Sequence, residues 1–330
     1  MKNLWSGYWR TIFAISTLNN SMGMETMVTI ESGSNSIMNV VSDYLMYSDV
    51  KESSRTTYMR NLKAFATWMQ ENGKSMGSLT TTDVIAFKNS LLGNGRSVLT
   101  VRAYVNAAKQ FIAWVANEVG GRNVAATVKA PRVKKAFKKM HLTGSQVRAL
   151  ECVAATSGKR DLAIVTLMVH TGLRCVEVVR ANVSDIQEYQ GRTVLNVQGK
   201  GRDEKDAFVI LSPKVVDTLN DYLVERRAKA NEPLFTSVSD RNKGARLSTR
   251  MIGMIVKEGM KKIGLNGHAY SAHSLRHTTA VAILERTGSM ESAQDVLRHA
   301  NITTTQIYVE SIRRDRRIRQ AAELVLDEVF

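Results

Sequence analysis

His273-Ser274-Leu275-Arg276-His277, followed by Leu297-Arg298-His299 and then Tyr308, gathers imidazoles, guanidiniums and a phenol within 36 residues. The flanking pattern is that of helices joined by short turns. Residues three apart lie on one face of a helix, so His273 and Arg276 present an imidazole and a guanidinium side by side. That pairing suits a phosphate. Arginine offers a planar fork of donors and a permanent charge, and histidine moves a proton near neutral pH.

Bulk properties narrow what such a face could meet. The chain has 330 residues, 44% of them apolar, enough for two domains with real cores. Its formal net charge is +16 and its pI about 9.9, a balance that favours a polyanionic partner, nucleic acid above all. The two cysteines, Cys152 and Cys175, imply a reducing compartment and no disulfide framework, hence an expected cytoplasmic location. Neither CxxC nor HExxH occurs, so no metal site is expected. No apolar run approaches the ~20 residues of a membrane span. The patch Thr11–Leu18 is broken by Ser16 and Thr17 and has no cleavage site after it.

Upstream of the cluster the chain changes character several times. Residues 1–35 are rich in Ser, Met, Gly and Asn, show no sustained period and read as a disordered leader. From Ser36 the spacing is helical, first through Val40, Val41, Tyr44 and Leu45. A second helix covers Ser54–Gln70 with a stripe of Tyr58, Leu62, Phe65 and Trp68, closed by Asn72-Gly73. Thr81-Thr82-Asp83 caps a third, with Val84, Phe87 and Leu91 inward, and Ser97–Val119 forms a fourth. Their polar faces carry Lys51, Arg55, Arg60, Lys63, Lys88, Arg96, Arg102 and Lys109, some of which should touch phosphates. The segment from Lys129 to Lys139 holds six basic residues in eleven, no acid, and Pro131; it reads as an interdomain linker lying on DNA.

Leu142-Thr143 opens a second domain with Thr143 as N-cap and Leu150 and Val153 starting its apolar face. The strongly apolar Arg160–His170 helix ends at Thr171-Gly172-Leu173-Arg174, where a glycine turn fixes the next side chain. Two strand-like runs, Thr193–Val197 and Ala207–Leu211, flank a polar turn containing Lys200 and Lys205. Helices over Pro213–Arg227 and Thr249–Ile263 lead back to the cluster. The tail has Ala321, Leu324, Val325 and Val329 as an apolar stripe on a short helix that needs a partner surface.

The motifs TGLR-CVEV, GKG before a strand, HSLRH and LRHANITTTQIY resemble those of the tyrosine recombinases, the phage-integrase and Xer-type enzymes. The resemblance covers about residues 36–330. It rests on the joint order Arg, Lys, His-x-x-Arg, His, Tyr, with 23 residues from Arg276 to His299 and nine more to Tyr308. It departs at Arg298, where the family has Gly, a position that invites a DNA contact. It also departs around Lys200, where Lys205 competes for the same role; Lys200 matches the GKG turn.

The resemblance implies a mainly α protein with a small β-sheet. A helical, SAM-like core-binding domain (36–126) and a mixed α/β catalytic domain (142–330) would be joined by a basic linker (127–141) and would clamp duplex DNA between them. It implies Arg174, Lys200, His273, Arg276, His299 and Tyr308 as the catalytic set, and a homotetramer in which the C-terminal helix docks on a neighbouring subunit. An accessory DNA-bending protein is compatible with it. Glu177 and His277 also fall at family positions, either orienting the site or serving structure alone.

Chemistry supports this set independently. Breaking DNA without a metal requires a side-chain nucleophile, charge stabilisation on the phosphorane and an acid for the leaving oxygen. Tyr308 supplies the nucleophile, and Arg174 and Arg276 clamp the non-bridging oxygens. By family analogy, Lys200 protonates the departing 5′-oxygen, His273 takes the phenolic proton and His299 binds the phosphate. No metal, nucleotide or other cofactor is required. Taken singly, each residue has a bland alternative: Arg174 as a helix cap, Lys200 as a solvated hairpin tip, the histidines and Tyr308 as packing. The reading is therefore a site-specific recombinase of a mobile element, working through a 3′-phosphotyrosine and a Holliday junction. Its rivals are a Xer-like resolvase of replicon dimers, a type IB topoisomerase, and a DNA-binding protein that has lost catalysis.

Overall fold

The computed structural model describes residues 34–49, 51–132, 140–199, 202 and 204–298, together with 306, 308, 309, 312, 313, 317 and 318. These divide into two compact units at 134/135. The leader expected over 1–35 falls outside the described residues but for its last two positions; the centre of the basic linker and the C-terminal docking helix fall outside altogether. The architecture is mainly helical with one small sheet, and no described helix is long and apolar enough to cross a membrane.

The first unit contains α1 (Ser34–Tyr47), α2 (Glu52–Glu71), α3 (Thr81–Gly93) and α4 (Val98–Val119). The apolar stripes legible in the sequence form its core, with Leu62, Phe65, Phe87, Val101, Val105 and Phe111 all essentially inaccessible. Phe65 meets Phe87 edge-on at 5.0 Å, and Tyr44 meets Phe111 at 5.6 Å. Each such ring contributes roughly 1.5–3 kcal/mol by leaving water. The N-cap of α3 is Thr80, one residue before the expected TTD. Its hydroxyl accepts from the Asp83 N–H while Asp83 accepts from the Thr80 N–H, closing both ends of a capping box. Of the cations expected to face DNA, Arg60, Lys63, Arg96 and Arg102 are exposed. Lys109 instead turns inward, and its ammonium donates to the carbonyls of Val128 and Ala126.

The second unit begins with α5 (Gly144–Ser157), capped by Thr143 and Gln146 in the same reciprocal way. Then come α6 (Lys159–Thr171), the short α7 (Cys175–Arg180), strands β1 (Ile186–Tyr189), β2 (Arg192–Val197) and β3 (Ala207–Ile210), and helices α8 (Pro213–Glu225), α9 (Thr249–Lys262), α10 (Ala272–Thr287) and α11 (Met290–Leu297). Every residue of α6 from Ala163 to Val169 is buried. A helix apolar on all sides must be surrounded, and α5, α8 and α10 pack against it.

The sheet is antiparallel in the order β1-β2-β3, with Leu195 of β2 opposite Ile186 and Val209. Strand β1 is absent from the sequence expectation. Its Ile-Gln-Glu-Tyr is mostly exposed and has too little apolar alternation to signal a strand; pairing with β2 is what makes it one.

Helix α10 is fixed on two sides by adjacent threonines. The Thr279 hydroxyl donates to the Val169 carbonyl at 2.7 Å, tying it to α6, and the Leu142 N–H donates to Thr278 Oγ1 at 2.9 Å, tying it to the segment where the second unit begins. These bonds set the height of Arg276 relative to the Gly172 turn.

Candidate active site

Arg276 is 1% exposed, and its guanidinium is held by two helix ends. One donor reaches the carbonyl of Gly172, the C-cap of α6, at 2.6 Å; another reaches the carbonyl of Leu297, the last residue of α11. Both carbonyls belong to the negative ends of helix dipoles, the right partner for a buried cation. Burial, and then the neighbouring Arg174, pull its pKa down to about 10, so it stays charged at neutral pH. Gly172 is required twice over. Its φ is +63°, and a Cβ there would stand 2.7 Å from Leu297 Cδ2.

Two residues past Gly172, Arg174 stands at the N-cap position of α7 rather than capping a helix C-terminus. Its guanidinium donates to Glu177 Oε1 at 2.9 Å and its backbone N–H to Glu177 Oε2 at 2.7 Å. Glu177 is 1% exposed, whereas the Arg174 side chain keeps 31% of its surface open. Burial raises the Glu177 pKa, but Arg298, Arg174 and Arg276 outweigh it and hold the carboxyl below its usual value. Arg298, expected to invite a DNA contact, is turned inward and donates to Glu177 Oε2 at 3.1 Å.

Tyr308 is 2% exposed and packs among Ala280, Leu284, Ala293 and Leu297. Burial raises its phenol pKa; the charges of Arg276 and Arg174 and a hydrogen bond with Arg276 pull the other way without overcoming it. The phenol is thus protonated at neutral pH and needs a base to attack. One face of its ring stacks on His277, with centroids 4.9 Å apart. His277 is wholly buried and meets His141 edge-on at 5.4 Å. Burial, then the charges of His141 and His273, lower the His277 pKa to about 3, so it remains neutral. His273 is exposed at the start of α10, although it shares a helix face with the buried Arg276.

The structure thus brings together Arg174, Arg276 and Tyr308, with His273 close enough to act electrostatically on His277. Lys200 and His299 lie outside the described residues. Around Lys200 the structure is informative even so. Lys205 is occupied: its ammonium lies 2.7 Å from Oδ1 of the buried Asp185. Arg180, in the last turn of α7, donates to the Gly199 carbonyl at 3.1 Å and anchors the turn just before Lys200.

Sequence reasoning missed Arg180, His141 and Arg246. Arg246 donates to the carbonyls of Val179 (2.6 Å) and Ala181 (3.0 Å), closing the C-terminal end of α7. None of the three carries a local signal, since each acts on carbonyls or rings distant in the chain. Chemically, the site offers two guanidiniums, a buried phenol and a neutral imidazole stack, an arrangement suited to a tetrahedral or trigonal phosphate.

Comparison with known proteins fits that chemistry. The pattern defining the phage integrase family matches residues 140–314, and that of the phage integrase N-terminal SAM-like domain matches 37–120. The tyrosine recombinase XerC of Actinobacillus pleuropneumoniae is 30% identical over 274 residues, covering 81% of this chain and 86% of that protein. The tyrosine recombinase XerA of Pyrococcus horikoshii is 29% identical over 278 residues, covering 79% and 92%. Among solved structures, XerH site-specific recombinase in a post-cleavage complex with its difH substrate matches with a TM-score of 0.68 at 19% identity, over 88% of this chain and 84% of that one. A lambda integrase tetramer bound to a Holliday junction matches with a TM-score of 0.67 at 18% identity, over 83% and 76%. At such identities these two structures speak for the fold.

Proposed function

The chain belongs to the phage integrase family of tyrosine recombinases, and from that premise we propose a specific division of labour in its site. It is an enzyme of site-specific recombination, breaking and rejoining DNA strands. Tyr308 attacks the scissile phosphorus, forming a 3′-phosphotyrosine and releasing a 5′-hydroxyl. Arg174 and Arg276 bind the non-bridging oxygens. His273 takes the phenolic proton, Lys200 donates one to the leaving 5′-oxygen, and His299 hydrogen-bonds the phosphate. The observation that carries this reading is that Arg276, fixed by two helix C-termini, lies against the buried phenol of Tyr308.

The exposed side chain of His273 and the open part of Arg174 support a substrate approaching from solvent, while the other partners of the site stay buried. Lys200 is favoured over Lys205 because Asp185 holds Lys205. Residues 36–126 form the core-binding domain, 127–141 the linker and 142–330 the catalytic domain. Both domains bind double-stranded DNA through their basic residues, in keeping with the net charge of +16. Four subunits assemble on two sites, each passing its C-terminal helix to a neighbour, and the strands exchange through a Holliday junction. The biological role proposed is recombination of a mobile element. A second reading, resolution of replicon dimers, is favoured by the XerC and XerA relatives.

A two-plasmid assay tests the role. One pair carries sequences flanking the gene, and the other carries directly repeated candidate resolution sites from the chromosome. Recombination of the first pair supports the mobile-element role. Recombination of the second pair alone overturns it in favour of dimer resolution.

A further inference from the structure

We propose that Arg298 is a positioning residue for the Arg174 clamp, acting through Glu177; the inference rests on the recombinase reading above. Arg298 follows the last residue of α11 with φ +53° and ψ +49°, a left-handed conformation that L side chains rarely adopt. Two other non-glycine residues among those described share a positive φ, Gln190 and Arg227, and both are exposed turn residues. Arg298 differs from them. Its side chain is 14% exposed and folds back into the site.

The side chain makes two bonds of different kind. Nη1 donates to the Val296 carbonyl at 2.7 Å, bracing the turn itself, and Nη2 donates to Glu177 Oε2 at 3.1 Å, crossing 121 residues of sequence. A glycine would form this turn without strain, so what arginine adds here is its reach to Glu177. Strain held at a site by a specific partner is where a functional role is to be sought.

The charges show what that reach accomplishes. With Arg174 as its sole partner, Glu177 would form a closed ion pair and neutralise the clamp. Arg298 brings a second cation to the same carboxylate, so Arg174, Glu177 and Arg298 together keep one net positive charge. Glu177 Oε2 is shared between Arg298 and the Arg174 backbone N–H, while Oε1 takes a single guanidinium bond from Arg174. Arg174 is therefore oriented without being used up. The same bond ties the turn that leads into His299 to α7, so the two halves of the site are set against each other by one carboxylate.

The test is single-turnover cleavage of a nicked duplex at saturating DNA, with thermal unfolding alongside. Wild type, Arg298→Gly, Arg298→Lys, Glu177→Gln and the double variant Arg298→Gly/Glu177→Gln are compared. Arg298→Gly relieves the strained turn but takes a cation from the buried Glu177 carboxylate, so it should still fold, with an unfolding temperature at or below that of wild type. Its adduct-forming rate should fall on the order of 10–100-fold, the scale seen when a group orienting a reactive centre is removed. Arg298→Lys should recover part of the rate. The double variant should be faster than Arg298→Gly alone, because a neutral amide no longer holds Arg174 back. Wild-type cleavage by Arg298→Gly, or a variant that no longer folds, would overturn the proposal, as would a double variant no faster than Arg298→Gly. A wild-type protein that forms no Tyr308 adduct would instead overturn the reading on which it rests.

Discussion

His277 lies stacked against Tyr308, ring centroids 4.9 Å apart and planes 30° from parallel, with His141 edge-on to the His277 imidazole at 5.4 Å. The proposed nucleophile is thus held by flat ring contact as well as by the hydrogen bond with Arg276. Replacing His277 by Ala should remove this support and cost about 2–4 kcal/mol, the scale of a large-to-small core change. His277→Phe should retain most of the stability and most of the cleavage rate. Urea unfolding and single-turnover cleavage of both variants check this; equal damage from Ala and Phe would mean the imidazole itself, not its shape, is what matters.

The same residue makes stability depend on pH. In the unfolded chain His277 takes up a proton near pH 6.5, whereas in the fold it does so only at about 3. Between those values the unfolded state binds the extra proton, so stability falls as pH falls and is fully kept only above about 6.5. From pH 6.5 to 5 the loss due to this group is up to about 2 kcal/mol. Denaturant titrations at several pH values should show His277→Phe with a shallower acid slope than wild type, and an unchanged slope would contradict the assignment.

Gly172→Ala places a Cβ 2.7 Å from Leu297 Cδ2 at a backbone φ of +63°. Strain and overpacking together should cost about 2–4 kcal/mol. The displaced carbonyl is one of the two holding Arg276, so cleavage should fall by more than the folded fraction explains. Calorimetry paired with an active-site titration on suicide substrate separates the two effects.

The two lysines near the β2–β3 turn should part company. Lys205→Ala strands the buried Asp185 carboxylate and should cost stability, about 1–3 kcal/mol, with little effect on the chemistry of the folded enzyme. Lys200→Ala should slow cleavage sharply. A substrate whose 5′-bridging oxygen is replaced by sulfur leaves without needing a proton, so it should restore the rate of Lys200→Ala. Rescue of Lys205→Ala instead would reverse the assignment.

How much of this was legible in the chain follows from how each residue acts. The helices of the first unit announce themselves because the stripes Tyr58, Leu62, Phe65, then Val84, Phe87, Leu91, then Tyr104, Ala108, Phe111 each recur at helical spacing and pack into one core. Arg174, Arg276 and Tyr308 were legible through order and spacing, and the structure sets them side by side. Strand β1 was not, because its side chains are mostly exposed and only its backbone pairing with β2 defines it. Nor were Arg180, Arg246 and His141, whose partners lie far off in sequence. The inward turn of Arg298 was invisible for a related reason. A surface cation and a buried one are the same letter, and the choice is made by Glu177, 121 residues away.

The most direct measurement is covalent trapping on nicked duplexes that carry candidate sites from DNA flanking the gene, resolved on a denaturing gel. The account predicts a slow-migrating protein–DNA adduct with wild type, its 3′-phosphate linked to Tyr308 by peptide mapping, and no adduct with Tyr308→Phe. An adduct formed by Tyr308→Phe, or one mapping to another residue, would contradict it.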